Sequence, residues 1–233
     1  KKYQKYSGLE TTGILDRKTI KLLKNSTFYL FCKISINIER YKSFNPSDSF
    51  YLWINLPSYN LKVIKNNSII KEFKVIIGKK ETPTPILNTN MNSIIINPEW
   101  VVPPSIFEKE FINILKKDKT YFNRNNFYVK NISDTIDIHV ILEKKQKIKI
   151  AQKPGEKNAL GKVKFNLNNP YQIYIHDTPS KYLFKNETRA YSHGCIRIEK
   201  AEELAQILID NFQIKDVKLK ELLNKNETKV IFL

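Results

Sequence analysis

The sequence predicts an α+β fold, mainly β from Phe50 onward, and three observations carry that prediction. From Phe50 the apolar residues leave helical spacing and fill short runs rich in Ile, Val, Tyr and Phe, punctuated by Asn-Asn, Gly and Pro. A helical stripe interrupts these runs between Ile106 and Leu115. Near the end, Ala201, Leu204, Ala205, Leu208, Ile209 and Phe212 recur at spacings of three and four, the best amphipathic helix in the chain. With 233 residues and 41% hydrophobic content, the chain can build one large domain or one domain with appendages.

Taken in order, "YQKYSGLETTGILDRKTIKLLKN" places Ile14, Ile20, Leu22 and Leu23 at helical spacing after a Gly-containing turn, with Asp16 as N-cap. It is too short to bury a core alone, so it must pack on other chain. "STFYLFCKISINIERYKSF" sets Leu30, Ile34 and Ile38 on one helical stripe and reads as a connecting helix, with Cys32 as a buried core thiol. "FYLWINLP", "YNLKVIKNNSIIKEFKVIIGK" and "NSIIINPEW" are strand-like, with a hairpin turn at Asn66 and Asn67. The stripe Ile106, Phe107, Phe111, Ile114 and Leu115 is an insertion within this β-domain, and strand texture returns in "KIKIAQ" and "VKFNL". His139, in "TIDIHV", is a strand residue with no chemical role. In "YQIYIHD", Tyr171, Ile173 and Ile175 share one face while Gln172, Tyr174 and His176 share the other, so His176 stands on the polar face at a strand end.

A net charge of +17 invites a nucleic-acid reading, but the lysines are scattered among Asn and Ile and form no basic stripe. No nucleic-acid partner is predicted; an anionic polymer such as a cell wall remains compatible. No stretch reaches the roughly 18 apolar residues of a membrane span, and no charged-then-apolar leader opens the chain, so a soluble piece is expected. The abrupt start "KKYQKYSGLE" and the end "KVIFL" read as a fragment of something longer, from which a targeting segment would be missing. Cys32 and Cys195, far apart in sequence, give neither a disulfide framework nor a metal knuckle.

The chemistry centres on "RAYSHGCIRIE", where Cys195 follows His193 by two residues in a chain with three histidines. A thiol of ordinary pKa, about 8.5, is mostly protonated near neutrality, so a nucleophilic cysteine needs a neighbouring base or cation. His193 and His176 are both candidates. Gly194 permits close backbone approach, and amides there suit a developing oxyanion. On residue types alone Cys195 is equally well a structural thiol. A zinc site of His176, His193 and Cys195 has acceptable ligands but lacks a fourth ligand and knuckle spacing, so neither metal nor cofactor is predicted.

"YIHDTPSKYLFKNETRAYSHGCIRIEKAEELA" resembles the signature of the L,D-transpeptidase (YkuD-like) catalytic domain: a His, a variable stretch, Ser/Thr-His-Gly-Cys, and Arg or Asn two positions on. "INPEWVVPPSI" and "AQKPGEKNALGKVKFNL" resemble the family's large periplasmic branch, which carries a helical capping insertion between these motifs. "YQKYSGLETTGILDRKT" is similar to the last part of a peptidoglycan-binding module. The resemblance implies a sandwich-like catalytic domain over residues 50–105 and 151–233, a capping insertion over 106–150, a linker helix over 27–49 and a module remnant over 1–26. It makes Cys195 the nucleophile and His176 its base, with the Asp177 carbonyl holding the imidazole tautomer. Ser192, His193 and Gly194 become supporting residues, and Tyr174, Arg197 and Trp100 substrate-binding ones.

The activity so implied is acylation of Cys195 by a peptidoglycan tetrapeptide stem, release of D-Ala, and transfer to an amine of a second stem, a 3-3 cross-link. Water as acceptor, giving a carboxypeptidase or endopeptidase, is the enzymatic alternative; a wall-binding protein without turnover is the other. Peptidoglycan stem peptides are the implied partners, with carbapenem-type β-lactams as covalent inhibitors. A monomer in the periplasm or cell envelope, serving cell-wall remodelling and cell shape, is expected. His176 as base also implies a thiol pKa held below its ordinary value, so that His176→Ala moves the alkylation profile back toward about 8.5 while His193→Ser leaves it in place.

Overall fold

Asn66 and Asn67 both take left-handed backbone angles, φ 50° and 61°, as a two-residue hairpin turn requires. They join β2 (Asn60–Lys65) to β3 (Ser68–Gly78), the hairpin expected there. This belongs to a computed structural model that describes residues 1–42, 46, 48–130 and 149–233. His139 and the middle of the expected insertion lie outside the described residues.

The chain divides into two units, Lys1–Tyr51 and Leu52–Leu233. In the first, α1 (Lys2–Tyr6) is followed by a loop and α2 (Arg17–Lys42). Asp16 caps α2, its Oδ1 accepting the Thr19 N–H at 2.7 Å. The loop is organised by buried Gln4, whose side-chain amide donates to Thr12 Oγ1, the Ile14 carbonyl and Thr19 Oγ1, while its Oε1 accepts the Gly13 N–H at 2.7 Å. The break expected between residues 26 and 27 is absent: α2 crosses it as one 26-residue helix, since neither Gly nor Pro falls inside. Cys32 is half-buried on α2 rather than a core thiol.

Among the described residues nine strands join in one sheet, which falls in the second unit apart from the first two residues of β1. The remaining members are β1 (Phe50–Asn55), β4 (Met91–Ile96), β8 (Val163–Leu167), β9 (Tyr174–His176), β10 (Ala190–Ser192), β11 (Ile196–Ile198) and β12 (Lys229–Phe232). Their order is β1-β2-β3-β11-β9-β8-β4-β12, with β10 also paired to β3. The β11–β9 and β10–β3 pairs are parallel. Among the other pairs, β11–β3, β8–β9, β4–β8 and β12–β4 run antiparallel.

Period-two alternation sorts the central strands into two faces. Val163, Phe165, Ile175, Ile196 and Ile198 are buried, and α6 (Ala201–Asn211) packs on β8 with Leu204, Ala205, Leu208 and Ile209 buried. Phe212, expected on that stripe, lies past the helix end and is 49% exposed. The opposite face carries the alternate residues of β8, β9 and β11, which form the site below.

Between β4 and β8 the chain builds a second small core. It comprises β5 (Trp100–Val101), α3 (Pro104–Ile106), a π-helical turn (Phe107–Phe111), α4 (Ile112–Lys117), α5 (Tyr121–Arg124), β6 (Phe127–Val129) and β7 (Ile150–Gln152). The three strands pair as β5-β7-β6. Phe107, Phe111 and Leu115 of the expected stripe are buried, and Phe111 meets Phe122 and Phe127 edge-on at centroid distances of 5.6 and 5.2 Å. Because Trp100 on β5 belongs to this core, the lobe begins before residue 106.

Candidate active site

Register brings the sequence's candidate residues together. On the parallel β11–β9 pair, Arg197 stands opposite His176, and on β8–β9, Lys164 stands opposite His176 and Asn166 opposite Tyr174. Residues opposite one another share a face, so Tyr174, His176, Arg197 and Lys164 project together, with Cys195 one step before β11.

His176 is 5% exposed, and its Nδ1–H donates to the Asp177 carbonyl at 2.5 Å. A carbonyl only accepts, so this contact fixes the tautomer and leaves Nε2 bare as a base. Burial, with Arg197 and Lys164 nearby, pushes the imidazole pKa down to about 3. Asp177 is itself held: its carboxylate pairs with Lys181 and accepts the Lys162 N–H at 3.0 Å. It docks against Gly161, φ 61°, where any Cβ would overlap the carboxylate. A cleft of about 510 Å³, lined in part by Lys162, Lys181, Lys200 and Glu203, opens against Asp177 and not against Cys195.

The nucleophile turn is built from behind. Ser192 Oγ donates to the Cys195 carbonyl at 2.5 Å and accepts the Gly194 N–H at 3.1 Å. Thr84 Oγ1 donates to the Gly194 carbonyl at 2.7 Å, and Thr82 Oγ1 to the Ser192 carbonyl at 3.2 Å. Gly194, at φ 119°, takes a conformation closed to most L-residues. The Gly194 amide is therefore spent on Ser192 and does not face a developing oxyanion, which corrects the expectation.

The Cys195 thiol donates to the Gln172 carbonyl at 3.8 Å. Gln172 sits at φ 55° in a loop pinned by Asn169, whose side chain accepts the Tyr171 and Ile173 amides and donates to the Ile173 carbonyl. The strand expected over 171–176 is thus only Tyr174–His176, because the left-handed Gln172 ends it. Burial raises the Cys195 pKa; the Tyr174 amide and hydroxyl, then Lys164 and Arg197, pull it back only in part. A thiol held below its ordinary pKa is not what the structure gives: thiol and imidazole are both neutral at rest.

The other expected residues divide. Tyr174 is half-buried, and its hydroxyl bonds the Cys195 sulfur and takes a hydrogen bond from Trp100. Trp100 packs with Phe111 and Phe127, so it reaches the site through Tyr174 rather than as an open groove wall. His193 turns to Glu110 of the π-helical turn, Nε2 to Oε1 at 2.7 Å. Arg197 is half-buried, with an Nε that bonds nothing among the described residues. Lys164, Gln172, Thr84 and Glu110 were missed by sequence reasoning. Only Lys164 left a signal, as the polar member of the alternating "VKFNL". Among the described residues no group of three or more His, Cys, Asp or Glu is placed to hold a metal.

The imidazole makes stability depend on acid. An unfolded histidine takes its proton near pH 6.5, whereas native His176 refuses it until about pH 3. Its contribution is complete above the unfolded value and drains away as pH falls toward the native one; at about pH 4.5 the loss is roughly 3 kcal/mol. Urea midpoints near neutrality and near pH 4.5 should therefore fall much further for the wild type than for His176→Gln.

A free thiol one step before β11 and a neutral, carbonyl-anchored imidazole on the paired strand β9 define a thiol–imidazole site. The L,D-transpeptidase catalytic domain (YkuD) model matches residues 49–220, and the chain belongs to that family. A curated protein of Haemophilus influenzae named "Putative L,D-transpeptidase" is 31% identical over 182 residues, 76% of this chain; the chain spans 37% of that relative's length. Among solved structures, LD transpeptidase LdtMt1 in complex with imipenem aligns with TM-score 0.35 and 15% identity over 70% of this chain and 55% of its own. An L,D-transpeptidase from Mycobacterium smegmatis gives 0.33 and 12% over 70% and 54%.

Proposed function

We propose that this protein is a cysteine-dependent L,D-transpeptidase acting on peptidoglycan tetrapeptide stems in the periplasm or cell envelope. The observation that carries the reading is His176, buried with its Nδ1–H fixed on the Asp177 carbonyl, on the strand paired with the one that Cys195 precedes. As the sulfur attacks the carbonyl of the L-centre of the third stem residue, His176 Nε2 takes the thiol proton. The Cys195 amide and Tyr174 hydroxyl receive the oxyanion. The C–N bond then breaks, the departing D-Ala nitrogen takes the proton from His176, and a thioester remains on Cys195. An amine of a second stem attacks that thioester, gives its proton to His176, and leaves as the new amide while the thiol reforms.

The test is incubation of tetrapeptide-bearing wall fragments with the protein, products resolved by mass. A thioester adduct on Cys195, loss of one alanine and a 3-3 linked dimer are expected. Tripeptide without dimer would make water the acceptor, and no adduct at all would overturn the reading. Carbapenem-type β-lactams, whose strained amide is an acyl donor, should add to Cys195 in the same assay.

A further inference from the structure

Two half-buried cations, Lys164 and Arg197, act on the Cys195 sulfur. Lys164 is half-buried on β8, directly across from His176, and its ammonium lies 4.3 Å from the Tyr174 ring centroid. Among the described residues no carboxylate lies within ion-pair distance of it. Arg197, on the other side of His176, keeps its buried Nε without a partner. Glu110 acts on Arg197 electrostatically while its Oε1 meets His193, and it leaves the Arg197 Nε without a hydrogen bond.

Half-burying a cation unpaired costs free energy that a counterion restores, so two such cations on one face make a seat for an anion. An aromatic face beside an ammonium holds it in place without neutralising it. Arg197 offers a planar fork that matches a carboxylate, and Lys164 a point charge. Both stand opposite His176 in register, Arg197 two residues past Cys195, so an anion they hold lies close to the carbon under attack. In a peptide acyl donor, the carboxylate that close on the leaving side is the free C-terminus of the residue being expelled.

We propose that Lys164 and Arg197 together seat the free C-terminal carboxylate of the residue the acyl donor loses, making Lys164 a specificity-determining residue of this site. The inference rests on the acyl-transfer reading and deepens it: the site selects stems that end one residue beyond the acylated centre. Chains that continue past that residue, or whose end is amidated, leave Lys164 and the Arg197 Nε without a partner.

The experiment compares a synthetic tetrapeptide donor with its C-terminal amide, on wild type, Lys164→Met and Lys164→Arg, reading the Cys195 adduct by intact mass and its rate. A charge-assisted contact of ordinary strength predicts that wild type favours the free acid by about 10- to 100-fold. Lys164→Met should lose most of that preference by slowing the acid donor far more than the amide, while Lys164→Arg keeps it. Equal use of acid and amide by wild type would overturn the seat but leave the acyl-transfer reading standing. Equal slowing of both donors by Lys164→Met would assign Lys164 to packing or thiol activation instead. No adduct from either donor on wild type would overturn both.

Discussion

Cys195→Ala is expected to abolish acyl-enzyme formation altogether while moving the urea midpoint little. The side chain lost is small and half-buried, and it gives up a 3.8 Å thiol–carbonyl contact with Gln172 and a hydrogen bond with the Tyr174 hydroxyl. Ser192, Thr84 and Thr82 hold the turn through its backbone, so its shape does not depend on the sulfur. Serine should not rescue. A base whose pKa is pushed down to about 3 draws a proton from a thiol only because sulfur is acidic and polarisable, and a hydroxyl is far less acidic. The measurement is intact mass after incubation with the tetrapeptide. Turnover by the alanine variant at wild-type rate would remove Cys195 from the mechanism.

His176→Ala should slow acylation by about 10²–10⁴-fold, the usual worth of a positioned general base. It should do so while leaving the pH profile of thiol alkylation nearly where it was. Burial keeps the imidazole neutral and keeps the sulfur protonated, so there is no resting thiolate–imidazolium pair for the mutation to break. The groups that pull the thiol down, Tyr174, Lys164 and Arg197, all survive the change. Wild-type alkylation should accordingly inflect on the alkaline side of a free thiol's value of about 8.5. His193→Ser, which gives up only the Glu110 contact, should leave that profile in place too. An acidic plateau in wild type that His176→Ala removes would establish the ion pair instead.

Local chemistry made much of the molecule readable before its folding. Asn66 and Asn67 announce a hairpin because few residues tolerate positive φ, and Asp16 announces a helix start because its carboxylate can reach an unpaired amide. The helix after Cys195 shows in its stripe. Signature residues place His176 and Cys195, and alternation alone puts His176 opposite Ile175. What alternation cannot give is the partner across the strand. Lys164 became a site residue only through the β8–β9 register, and Glu110 only through its contact with His193. The direction of the Cys195 pKa was equally hidden, since it depends on how deeply the lobe and the sheet enclose the sulfur. Gly194 was misjudged for a related reason: its amide is satisfied by Ser192 two residues back, a turn geometry that spacing does not report.

The position of β11 has a consequence for assembly. It lies between β3 and β9 in mid-sheet, antiparallel to one and parallel to the other, and its strand neighbours are supplied by distant stretches of the chain. Contacts of such long sequence separation form late and together, after the loop entropy between them has been overcome. A partly folded chain therefore has the thiol but neither the anchored imidazole nor the flanking cations, and reacts as an ordinary cysteine. The assembled centre arrives with closure of the whole sheet, so an immature copy carries a more readily ionised thiol than the native protein and none of the machinery around it.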